Sequence, residues 1–261
     1  MKAFISKSIL WATVLSTPAW LHAGDKNTAQ KFESKVVDSG SFGIYVNGKR
    51  IGTETFKIEQ HPDIHVATAE IRVDDGTVKA VQSAEMQVTP QGDLHSYVWR
   101  ASAPTKEEAS VVPSDQRLIE HIVPANMKKT DVPHALTAAT AILDDNFFSQ
   151  REVLLWRYLA TDCILKDGGL TCGASNFVAL VPRQHTYLTV TMSIVGTDKL
   201  TVKGNMREFT TFALQMGDPK QLIVMNGKKE AAPRQWLLWV DDQYKVFKIA
   251  VPDSNVEVIR D

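Results

Sequence analysis

Along most of this chain apolar and polar residues alternate one for one. Val78, Ala80, Ala84, Met86 and Val88 fall on one side of such a segment, with Lys79, Ser83, Glu85, Gln87 and Thr89 on the other. Leu188, Val190, Met192 and Ile194 repeat the pattern against Thr189, Thr191 and Ser193. A period of two puts successive side chains on opposite faces, so these segments predict strands with one buried and one wet face, the habit of antiparallel sheets. Turn-forming pairs separate the runs: Asn47-Gly48, Asp75-Gly76, Gln91-Gly92, Asn226-Gly227 and Asp241-Asp242. Asn47-Gly48 is among the most specific, because both residues tolerate the positive φ of a type I′ hairpin turn. About ten to twelve strands can be drawn, one group from Ser41 to Val123 and another from Phe177 to Ile259.

The texture between these groups is different. Residues 103–142 carry Pro104, Pro113, Pro124 and Pro133, and then the small-residue run Ala135–Ala141. Proline removes a ladder donor, so this stretch predicts mostly loop, with one short strand at Arg117–Val123. A helix follows. Phe147, Phe148, Leu154, Leu155, Tyr158 and Leu159 recur at helical spacing, Val153 and Trp156 widen the apolar face, and Asp144 or Asp145 stands where a cap is expected. The expected fold is mainly β: a large antiparallel half-barrel or open barrel, with one covering α-helix on its concave face. No internal repeat suggests a propeller or solenoid.

The first 23 residues read as a leader. Met1, Lys2 and Lys7 precede the apolar run Ser8–Leu15, and Pro18-Ala-Trp-Leu-His-Ala23 closes the segment with a small-residue cleavage site. The run is too short for a membrane span and is broken by Ser16, Thr17 and Pro18. The expected organisation is a signal peptide at 1–23 and a single β-rich domain at 24–261, with the proline-rich connection and helix at about 103–160. Such a protein is exported, periplasmic or secreted, with no transmembrane segment after cleavage. The remaining 238 residues would carry 27 basic and 30 acidic side chains, since Lys2 and Lys7 leave with the leader. A mildly acidic chain without a basic stripe is no candidate for nucleic acid or anionic lipid surfaces. The two cysteines, Cys163 and Cys172, predict one disulfide around a small loop at Lys166–Gly169, which suits an oxidising compartment.

Candidate chemistry is sparse. Val36-Val-Asp-Ser-Gly-Ser41 resembles the Asp-Ser/Thr-Gly signature of aspartic peptidases. Their catalysis needs two carboxylates sharing a proton, so a single Asp38 implies a retropepsin-like homodimer. The string also precedes the first drawn strand, where Asp-Ser-Gly is ordinary turn chemistry. His61 and His65 are spaced for one helix face, but Pro62 opposes a helix there, and His95, His121, His134 and His185 are expected at the surface or rim. No metal site is expected. Asp74-Asp75, Asp144-Asp145 and Asp241-Asp242 belong at turns or a helix start. Gly173-Ala-Ser-Asn176 is not a nucleophile elbow, and no nucleotide-binding glycine pattern occurs, so no catalytic residue and no cofactor is assigned. Large side chains remain. Trp99, Trp156, Trp236, Trp239, Phe147, Phe148, Met192 and Met225 are plain core fillers on the simplest reading. If the concave face holds an apolar ligand, the residues expected to line it are Phe147, Phe148, Leu155, Trp156, Trp99 and Trp239.

The string Gly43-Ile-Tyr-Val-Asn-Gly-Lys-Arg-Ile-Gly-Thr-Glu54 resembles the opening hairpin of uncharacterised exported bacterial β-rich families. Leu237-Leu-Trp-Val-Asp-Asp242 and Val256-Glu-Val-Ile-Arg260 resemble their final hairpins. Those families are similar in architecture to the half-barrels of lipoprotein-localisation factors, which hold acyl chains in an apolar concavity under helices. This sequence shows one clear helix where the lipid-carrying half-barrels have more than one. The resemblance and the composition together imply an exported, soluble, non-enzymatic protein that binds a hydrophobic or amphipathic ligand, or an envelope partner, in the concave face. Its partner is then a lipid or other apolar small molecule, or an envelope protein. The alternative is an envelope structural or interaction protein with a filled core.

Overall fold

The computed structural model describes residues 34–77, 79–144, 146–166, 169–184, 186–217, 224–225, 228–229 and 234–261. The leader, His185, Met225's side chain and the Asn226-Gly227 turn lie outside the described residues. In chain order the elements begin with a meander of antiparallel strands: β1 (Lys35–Val46), β2 (Lys49–Gln60), β3 (His65–Asp74), β4 (Lys79–Val88), β5 (Leu94–Ala103), β6 (Glu107–Ser114), β7 (Arg117–Val123) and β8 (Thr130–His134). Then come β9 (Ala141–Ile142), the helix α1 (Ser149–Asp162) and a small hairpin, β10 (Cys163–Lys166) with β11 (Gly169–Cys172). The chain continues through β12 (Ser175–Val181), β13 (Thr186–Val202), β14 (Asn205–Met216), the two-residue pair β15 (Val224–Met225) and β16 (Lys228–Lys229), then β17 (Arg234–Val240), β18 (Val246–Val251) and β19 (Val256–Arg260).

Fifteen of these strands form one sheet in the order β8 to β1, then β19, β18, β17, β14, β13, β12 and β9. The last strand joins the first, Phe42 opposite Arg260 and Val46 opposite Val256. The two edges, β8 and β9, are not paired to each other, so the sheet is large and open, not closed into a barrel. They are nevertheless connected by residues 135–140 alone, and Leu94 donates to the Ala138 carbonyl at 2.7 Å across that link. The sheet therefore curls around one apolar interior.

Alternation decides what faces in. Ala84, Met86 and Val88 of β4 and Val190 and Met192 of β13 are buried, while Lys79 and Thr189 on the opposite parity are exposed. The Asn47-Gly48 turn has φ of 51° and 74°, as a type I′ turn requires. Lys203-Gly204 adopts the same left-handed pair, at 50° and 82°, without the Asn or Asp that would announce it.

Two expectations need correction. Residues 103–142 are not mostly loop, since they supply β6, β7, β8 and β9. The prolines are accommodated because Pro113 lies beyond the end of the β5–β6 pairing and Pro133 sits on the edge strand β8. The first strand starts at Lys35, so Asp38-Ser39-Gly40 lies inside β1 instead of in a turn before it. The cysteine pair forms the expected disulfide, with Cys163 directly opposite Cys172 at the base of the β10–β11 hairpin. Ile164 and Leu165 of that hairpin are exposed, so the bond staples a hairpin that buries little of itself.

Candidate functional site

The α-helix among the described residues is inserted by its N-terminal turn. In its first turn Ser149, Gln150, Arg151 and Glu152 are all buried, which places every face of that turn inside protein, while Ala160 and Thr161 at the other end are exposed. An inserted helix end must satisfy its free N–H groups. Asp144 does not do so here, since the cap position is Phe148 and has no side-chain cap, and Asp145 lies outside the described residues. The acceptor comes from β2 instead. Glu54, fully buried, takes the Phe148 N–H at 2.6 Å and the Ser149 N–H at 3.0 Å, setting a carboxylate at the positive end of the helix dipole. Arg151 turns back to donate to the Asp144 and Phe147 carbonyls and lies 4.5 Å from the Trp236 ring centroid.

Asp144 does a different job. Fully buried, it accepts the Tyr97 hydroxyl at 2.7 Å and both oxygens are held by Arg183. Arg183 sits in the left-handed region at φ 68° on the β12–β13 turn and stacks 4.0 Å over Trp99. Its own N–H goes to Glu120 of β7, whose other oxygen lies 3.0 Å from His134 Nε2. His134 is thus buried, contrary to the expectation of a rim histidine. This cluster bridges the region where the two sheet edges approach, replacing the missing ladder with side-chain bonds.

A third anchor also holds the first turn of the helix. Glu152 accepts the Val246 N–H at 2.9 Å and faces Asp38 of β1, which is paired with Arg260 and, at 3.0 Å, with Lys245. Burial, reinforced by the neighbouring Asp38 charge, pushes the Glu152 carboxyl up to about 9. Burial works against the Asp38 charge too, but hydrogen bonds from Glu152, Arg260 and Lys245 outweigh it and hold Asp38 below the ordinary value. The pair therefore carries one proton at neutral pH. Burial also raises Glu54, and it drives the Tyr97 phenol well above its usual range with help from the Asp144 charge.

The residues expected to line a ligand site divide. Phe147, Phe148, Leu155 and Trp99 are buried in one core, and Trp156 packs against its margin with its Nε1 bonded to the Tyr244 carbonyl at 2.7 Å. Trp99 donates to Gln82 at 2.9 Å. Trp239 is elsewhere: it alternates with buried Leu238 and Val240, and on the outer face it donates to Asp198 at 2.9 Å with Lys248 over its ring. Beside α1 lies a crevice of about 30 Å³, bounded by Met86, Val88 and Leu94 on the sheet and by Val153 and Leu154 on the helix. Among the described residues no three His, Cys, Asp or Glu side chains gather as metal ligands.

A crystal structure described as a β-barrel-like protein of domain of unknown function DUF1849 from Brucella abortus superposes with a TM-score of 0.49 at 7% identity, over 85% of this chain and 93% of that one. No protein-family model matches the sequence. No curated protein matches it either.

Sequence reasoning missed the residues that hold the helix: Glu54, Glu120, Glu152, Arg151 and Arg183. A readable signal existed for two of them. Glu54 shares the parity of buried Phe56 and Ile58, and Glu120 that of buried Leu118, so each is a carboxylate on a buried strand face. Such a group demands a partner.

Proposed function

We propose that this chain is an exported, non-catalytic interaction protein of the cell envelope, whose sheet and inserted helix form a rigid scaffold for a partner. The observation that carries this reading is the packing of the described interior: Phe147, Leu155, Tyr158, Phe212 and Leu238 are all fully buried around α1, and the crevice beside it holds about 30 Å³. An acyl chain in the concave face would have to displace the helix and the three polar anchors that hold it. The disulfide agrees with an oxidising compartment. The peptidase alternative gains no support from Asp38, whose carboxylate is buried and occupied by Arg260 and Lys245.

Native mass spectrometry of the protein taken from its own compartment tests the reading. A stoichiometric complex with an envelope protein is expected, with no lipid retained. A co-purifying lipid that survives delivery into the gas phase, or acid-optimum proteolysis lost in Asp38→Ala, would overturn it.

A further inference from the structure

Exposed apolar side chains gather where α1 leaves the sheet. Ile164 and Leu165 of β10 are 63% and 75% exposed, and Val36 and Val37 of β1, Tyr244 of the β17–β18 turn and Met206 of β14 are exposed as well. Contacts between their neighbours make them one region. β10 follows α1 directly, and Trp156 of α1 donates to the Tyr244 carbonyl at 2.7 Å. Lys245, next to Tyr244, pairs at 3.0 Å with Asp38, which follows Val37. Arg207, next to Met206, lies 3.9 Å from Asp241 in the same turn. Contiguous exposed apolar surface marks a place where something other than water belongs.

The hairpin says what that is. Ile164 and Leu165 are consecutive in a strand, so their side chains leave opposite faces of the β10–β11 ribbon, as those of Val36 and Val37 do in β1. A protein surface laid against one face would leave the other wet, whereas a fluid apolar layer surrounds both. The ribbon is held in this position. Cys163–Cys172 pins its base, the Gly173 N–H goes to the Asp162 carbonyl at 3.2 Å, and the Tyr158 hydroxyl donates to the Gly173 carbonyl at 2.6 Å. Each apolar pair also adjoins an exposed lysine, Lys35 before Val36-Val37 and Lys166 after Ile164-Leu165. Apolar side chains bordered by lysine match the boundary of a phospholipid layer, where carbon sinks among acyl chains and the ammonium stays with the phosphates. Tyrosine, present here as Tyr244, is enriched at the same depth.

From the two-faced apolar hairpin, its staple and the flanking lysines, we propose that this end of the molecule docks on a phospholipid surface, with β10–β11 as the element that enters the interface. Apolar insertion supplies the attraction, so the surface need not be anionic, in keeping with a chain that has no basic stripe. The layer is a surface and not a ligand. No lipid enters the sheet, so the mass-spectrometric outcome expected above is unchanged, and the proposal does not depend on the partner reading.

The test is sedimentation of the purified full exported protein with vesicles of pure phosphatidylcholine, at low and at high salt. The protein should sediment with them at both. Ile164→Ser combined with Leu165→Ser should weaken the association by about tenfold or more while circular dichroism remains native. Leu165→Trp should bind at least as tightly as wild type, and Met127→Ser, at an exposed residue outside this region, should bind unchanged. No association of the folded wild type, undiminished binding in the double variant, or an equal loss in Met127→Ser would each overturn the proposal. So would binding confined to phosphatidylglycerol vesicles and abolished by salt, which is charge adsorption without insertion. An envelope-protein complex lost in the double variant, with phosphatidylcholine ignored by wild type, would assign the hairpin to a protein groove instead and leave the partner reading standing.

Discussion

Replacing Glu152 with Gln should make the protein more stable as pH rises, although it deletes a buried acidic residue. Glu152 is fully buried, and its carboxyl titrates at about 9 instead of the ordinary 4.5. Between those values the unfolded chain has lost this proton and the folded protein keeps it, so stability falls with pH. The advantage of the raised carboxyl is complete below 4.5 and is lost as pH climbs through about 9. Each unit in that window costs about 1.4 kcal/mol. Glutamine mimics the protonated acid: its carbonyl can accept the Val246 N–H and its amide can donate to Asp38, with no proton to lose. The difference in unfolding free energy between Glu152→Gln and wild type should therefore shift in the variant's favour by about 2.7 kcal/mol from pH 6 to pH 8. Urea unfolding of both proteins at pH 6, 7 and 8, followed by tryptophan fluorescence, measures it. Every other titrating group is common to both and cancels. A difference that stays within about 0.5 kcal/mol across that range would refute the assignment of the proton to Glu152.

Glu54→Ala should strip two helix N–H groups of their acceptor and lower stability by about 2–6 kcal/mol in denaturant titration, with hydrogen exchange at Phe148 and Ser149 accelerated. Leu238→Ala should cost about 2–5 kcal/mol, whereas Trp239→Ala, on the outer face one residue away, should cost well under half as much; equal losses in a thermal scan would contradict the register of β17. Converting Cys163 and Cys172 together to Ser should cost about 2–3 kcal/mol by loop entropy, read as a lowered midpoint equal to that of reduced wild type.

The inward and outward faces of β4 and β13 were legible because the period of two is a local property of the backbone. The same holds for the Asn47-Gly48 turn, whose two residues carry their own φ preference. The proline-rich region misled for a definable reason: the cost of proline depends on whether the next strand needs its N–H, and the edge position of Pro133 is a fact of sheet order. Lys203-Gly204 shows the converse, a turn imposed by the two strands it joins.

Sequence alone determined that this is a β-rich chain with one apolar helix and a cysteine pair spaced for a local staple, because alternation, helical spacing and a short loop are all written within a few residues. Only the tertiary structure decided which groups hold the helix against the sheet. Glu54 lies 94 residues from the amide it caps, and Asp38 lies 222 from Arg260. Burying a charge is costly until its partner arrives, and which partner arrives is set by how the sheet curls. That curl is a property of fifteen strands together, so no single segment of the sequence records it.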